Sequence, residues 1–152
     1  MTLAIDVEDA GWDAIPGLEE LTRKAVAAAG IDEAQFDASI VFTDDAAIAA
    51  LNAQWRGKDN ATNVLSFPAE DMPVADGEAK PLGDIVLALG VITGEAAEQG
   101  KTLPHHATHL IIHGLLHLLG YDHQDGGAAD EMERLETEIL KGLGISDPYE
   151  RQ

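Results

Sequence analysis

The sequence predicts an α+β fold, a small mixed sheet of about four strands packed with about five helices. Three observations carry that expectation. Short strand-like segments and amphipathic segments alternate as far as Leu89, and helical periodicity dominates the remainder of the chain. The 152 residues, 45% of them hydrophobic, suffice for a substantial core. No repeat or linker divides the chain, so residues 1–152 are expected to form one domain.

Each element has a local reason. Leu3 to Val7 alternates as a strand does. Pro16 opens an amphipathic run from Gly17 to Ala29, which Gly30 closes. Ser39 to Phe42 is a second strand. Thr43, Asp44 and Asp45 cap a helix that runs through about Trp55, with Ile48, Leu51 and Trp55 on one face. Asn63 to Phe67 is a third strand, stopped by Pro68. The acidic stretch from Ala69 to Pro81 reads as an exposed loop. Asp84 to Leu89 is a fourth strand. Three more helices are expected, over Val91 to Gln99, Pro104 to Leu119 and Ala128 to Leu143.

Composition excludes several function classes. The chain has no cysteine, which removes a disulfide framework, a thiolate zinc site and a cysteine nucleophile together. Its start, MTLAIDVEDAGWD, lacks a basic region followed by an apolar run, so no signal peptide is expected. The longest apolar stretch, around Leu110 to Leu119, is too short and too rich in histidine to span a bilayer. The expected compartment is the cytoplasm, with no membrane partner. There are 28 acidic and 9 basic residues, a formal charge of −19. Such a field repels phosphate, so a broad nucleic-acid surface is not expected, and a polyanionic substrate would need a local positive site or a delivering partner.

Residues 113–123, HGLLHLLGYDH, hold the strongest chemical signal. Residues four apart share a helix face, so His113 and His117 project side by side. Gly120 is suited to end that helix in the left-handed conformation, after which the chain can turn back and bring His123 to the same point. Three imidazoles plus an open position match a catalytic zinc site. A buried histidine is often a satisfied core residue, but here the surrounding helix is apolar nearly all round, and several unpartnered imidazoles would be costly there. Burial also favours the neutral, metal-binding form. His109 lies one turn before His113 and can reach the same cleft. His105 and His106 are expected near the helix start, in exposed roles.

The H-x-x-x-H-x-x-G-x-x-H frame is that of a metzincin-like zinc helix. In metzincin peptidases a glutamate follows the first histidine and serves as general base. Gly114 occupies that position, and it cannot take a proton. Met132 lies in a helical pattern rather than a methionine turn.

HGLLHLLGYDH resembles the signature of the YbeY family, bacterial zinc-dependent endoribonucleases acting in ribosomal RNA maturation. LNAQWRGKDNATNVLSFP, Leu51 to Pro68, resembles the family's R-x-x-D-x-x-T-D-V-L-S-F-P region, and LGDIVL, Leu82 to Leu87, its LGDI strand. The helix with Glu131, Met132 and Glu136 is similar as well, so the resemblance runs in order from about Leu51 to Leu140. Asn63 stands where the family often has aspartate, and Trp55 where it often has tyrosine.

The resemblance implies that His113, His117 and His123 hold one Zn2+ per chain and that Arg56 is the catalytic arginine. It implies single-stranded RNA as substrate, the 16S rRNA precursor in particular, rather than DNA. It also points to the small ribosomal subunit, its assembly proteins and a ribosome-associated GTPase as partners. On sequence alone Arg56 reads more readily as a helix-end arginine that complements the dipole or pairs Asp59, and it is the resemblance that reverses this. A guanidinium can nonetheless grip two phosphoryl oxygens as negative charge builds. Lys58 reads as a solvated surface residue close to a phosphate path. Asp122 could orient a histidine, or simply sit in a turn. Asn63, with Thr62 and Ser66, could line the cleft. Two rivals stand beside the nuclease: an assembly factor with a structural metal, and, weakened by Gly114, a zinc peptidase.

Overall fold

The computed structural model describes residues 3–32, 34–58, 60–69, 79–120 and 126–145, with side chains described from residue 131 in the last stretch. Strand β1 (Leu3–Val7) leads through a 3-10 turn at Ala10–Ala14 into α1 (Leu18–Ala28). Strand β2 (Phe36–Thr43), α2 (Asp45–Arg56), β3 (Val64–Pro68) and β4 (Lys80–Ala88) come next, and the chain ends in α3 (Leu89–Gln99), α4 (Leu103–Leu118) and α5 (Gly126–Gly142). The α+β fold with a mixed four-stranded sheet and five helices is as the sequence predicts.

The sheet order is β1-β2-β4-β3, parallel throughout except for β3, which runs antiparallel along β4 and forms one edge. Two expected boundaries move. β2 starts at Phe36 and β4 at Lys80, because the two strands pair over their whole length, from Phe36 with Lys80 to Thr43 with Ala88. Lys80 and Pro81 therefore belong to a strand and not to the acidic loop, whose residues 70–78 lie outside the described residues. Cross-strand pairing outweighs their weak strand preference.

Side-chain alternation along β4 separates two apolar layers. Ile85 and Leu87 face the larger one, with Ile40, Phe42, the apolar stripe of α1, and Ile111, Ile112 and Leu115 of α4. Val86 and Ala88 face the smaller one, with Leu65 and with Ile48 of α2. Helices α2 and α4 thus cover opposite sides of the sheet, and edge strand β3 lies between them.

Helix α4 is the central element. The Thr102 side chain accepts from the His105 amide and caps it, Pro104 is compatible with the first turn, and Gly120 at φ +103° stands just past its end. Gly114 in mid-helix would ordinarily cost about 1 kcal/mol relative to alanine. Here it permits close approach to the sheet. A Cβ at this position would lie 3.1 Å from two carbons of Ile85 and 3.2 Å from Ser66 Oγ. Among the described residues, no helix is long and apolar enough to cross a membrane.

Candidate functional site

The histidines of α4 form a stripe along its length, and two helices each present a carboxylate to it. At the C-terminal end Glu136 of α5 is fully buried. Its Oε1 lies 3.0 Å from His109 Nε2 and 2.8 Å from His113 Nδ1. A carboxylate can only accept, so both rings donate N–H to it. With Nδ1 of His113 committed, its Nε2 carries a lone pair and points towards Nε2 of His117, 3.1 Å away. Both rings are partly exposed.

Two imidazole nitrogens that approach so closely need a proton or a cation between them. Tetrahedral zinc at 2.0–2.1 Å spaces its nitrogen ligands about 3.3 Å apart. The donor set, one neutral imidazole oriented by a carboxylate and a second facing it, fits such an ion. Among the described residues no group of three donors able to hold a metal is assembled. His123 and Asp122, the third expected ligand and its neighbour, lie outside the described residues.

At the N-terminal end the arrangement differs. His106, expected to be exposed, is buried. Its Nε2 donates to Glu95 Oε1 of α3 at 3.0 Å. Asn63 Nδ2 also donates to Glu95, at 3.0 and 3.3 Å to its two oxygens, while Asn63 Oδ1 accepts from the Val64 amide. This network ties β3 to α3 and α4. Burial pushes the His106 pKa below its usual value, more than the Glu95 hydrogen bond and charge raise it, and His109 and Lys101 lower it further. His105 is exposed, as expected.

Arg56 ends α2, with Gly57 behind it in the left-handed conformation at φ +68°. Its side chain is exposed and has no ion pair among the described residues. Lys58 is exposed too. The link from this helix end to the histidines passes through β3. Ser66 Oγ donates to the Gly114 carbonyl, 3.4 Å away, and the neighbouring Phe67 meets Trp55 edge-on at 6.4 Å.

Glu95 was not anticipated as a site residue, and Glu136 only as part of a similar helix. A signal for Glu136 exists in the sequence. Met132, Glu136 and Leu140 recur every four residues and are all buried, so a carboxylate interrupts the apolar stripe of α5. Glu95 likewise stands beside the buried Ile92 and Ala96 of α3.

A carboxylate-oriented histidine pair on a helix against a mixed sheet defines an α+β protein built around a candidate metal centre. The family model described as Endoribonuclease YbeY matches residues 9–144. An Endoribonuclease YbeY of Azorhizobium caulinodans is 48% identical over 98% of this chain and 96% of its own. That of Paramagnetospirillum magneticum is 47% identical, over 99% and 96%. A solution structure from Thermotoga maritima superposes with a TM-score of 0.60 at 25% identity, covering 99% of this chain and all of the other. The chain belongs to the endoribonuclease YbeY family.

Proposed function

We propose that this nuclease hydrolyses single-stranded RNA with one zinc ion, in the maturation of 16S rRNA and in the assembly and quality control of the small ribosomal subunit. Family membership supports the endoribonuclease activity. The observation that carries the metal reading is the pair of Nε2 atoms 3.1 Å apart on His113 and His117, one ring oriented by buried Glu136. His113, His117 and His123 would hold the ion, which when bound supplies Lewis acidity towards a phosphoryl oxygen.

The chain's own residues do the rest. Glu136 fixes the His113 tautomer and ring angle, and His109 shares that carboxylate and keeps it in place. Arg56, exposed and without an ion pair among the described residues, is available to grip the phosphate as charge develops. The peptidase rival loses further support from Gly114. That position faces Ile85 and Ser66, where a glutamate side chain has no room to reach a substrate. Because the chain carries a formal charge of −19, free RNA should bind weakly and with strong salt dependence. Assembly proteins of the subunit, a ribosome-associated GTPase among them, would then deliver the substrate in the cytoplasm.

The test is cleavage of a labelled single-stranded RNA by zinc-loaded protein, beside Arg56→Ala and a chelated sample. Wild type should cut. Arg56→Ala should stay folded and zinc-bound yet lose about 10²–10³ in rate, the cost of removing one preorganised charge donor. Cutting that survives both controls would leave an assembly factor with a structural metal as the better reading.

A further inference from the structure

The geometry points to Trp55 as a base-stacking platform, on which a nucleotide next to the cleaved phosphate lays its ring; this rests on the nuclease reading above. Trp55 is 64% exposed, on a chain that otherwise buries its large hydrophobics, with Val7 and Leu119 the other exceptions among the described residues.

The surroundings of Trp55 identify what covers it. Phe67 holds the indole edge-on, rings inclined at 65°, and Phe67 itself packs on the smaller apolar layer, so the platform rests on the sheet. Arg56 and Lys58 follow it within three residues of the chain, both exposed and neither in an ion pair among the described residues. Arg23 and Lys24, by contrast, pair with Glu19 and Glu20 one turn away. An exposed aromatic beside two available cations is how proteins hold single strands, the ring taking a base and the cations the backbone. The strongly acidic exterior makes this patch the more distinctive.

Edge strand β3 then connects platform and chemistry. Ser66 reaches α4 beside His113, and Phe67, the next residue, reaches Trp55. A strand of RNA crossing this edge meets Trp55 and Arg56 on one side and the histidine pair on the other. A duplex, with its bases stacked on each other, could not use the platform, so Trp55 contributes to single-strand selectivity.

Trp12, the other tryptophan, is buried and donates to the Thr43 carbonyl, so fluorescence separates the two. Zinc-loaded protein is mixed with a short oligouridine, or with an abasic strand of equal length, and emission is read by stopped flow before cleavage. Oligouridine should quench the exposed indole, the abasic strand should not, and Trp55→Phe should abolish the signal. In cleavage assays Trp55→Ala should raise KM about 5- to 100-fold with kcat nearly unchanged, and Trp55→Phe should restore most of it. Equal quenching by both strands, or an unchanged KM in Trp55→Ala, overturns the proposal. So does a defect seen only on assembled ribosomal subunits, which would make Trp55 a protein contact. Base-dependent quenching without any RNA cleavage by wild type would leave the platform standing and sink the nuclease reading instead.

Discussion

The two ends of α4 use the same residue types to opposite effect. At the C-terminal end a buried glutamate takes Nδ1 of His113, which leaves Nε2 pointing out towards His117. At the N-terminal end Glu95 takes Nε2 of His106, and the remaining Nδ1 is buried without a hydrogen-bond partner among the described residues. One ring keeps a lone pair turned towards a neighbouring imidazole, while the other is locked into the wall between α3 and β3. The difference lies in which nitrogen the carboxylate binds and which way the free one faces.

The largest effect should come from breaking the C-terminal end. His117→Ala is expected to lose stoichiometric zinc and about 10³-fold or more in RNA cleavage while it stays folded. His106→Ala, in the same helix, should keep its zinc. Metal content and cleavage rate, measured on both variants, decide it. If His106→Ala also emerges metal-free, the two ends are not functionally distinct.

A smaller effect should separate the carboxylates. Glu136→Gln preserves shape but offers only a neutral amide oxygen to the two rings that now donate to a carboxylate. Zinc affinity, read by chelator competition, should fall about 10- to 100-fold, with a stability loss of about 1.5–3 kcal/mol. Glu95→Gln should destabilise without altering zinc affinity. Equal affinities in the two variants would remove Glu136 from the metal centre.

Much of this was legible in the sequence, and what was not shares a physical cause. The spacing of His113, His117 and Gly120 foretold a shared face and a left-handed helix end, because both derive from helix geometry alone. The burial of His106 did not, since it depends on α3 closing over α4 and on Asn63 holding Glu95 from the bend before β3. Gly114 was legible as a missing base. Its packing reason, contact with Ile85 and Ser66, required the sheet to be placed. The early starts of β2 and β4 were not legible because each strand's ends are stabilised by the other. Long-range partners, not local propensity, set these features.

The smallest effect concerns pH and tests whether His106 is held neutral. Its folded pKa lies below the usual 6.5 because burial disfavours the charged ring. Below about pH 6.5 the unfolded chain therefore binds a proton that the folded chain refuses, and stability falls as pH drops from there through the folded pKa. The contribution is fully present above 6.5. The slope from this one group is at most about 1.4 kcal/mol per pH unit. The groups facing the ring are Glu95, His109 and Lys101, and all three remain in His106→Gln, whose amide can still donate to Glu95. Subtracting the variant's denaturation free energies from wild type's, between about pH 8 and pH 5, isolates the term. Wild type should lose ground steadily against the variant below pH 6.5. A difference that stays flat across that range would mean His106 takes up its proton in the folded protein as readily as in the unfolded chain.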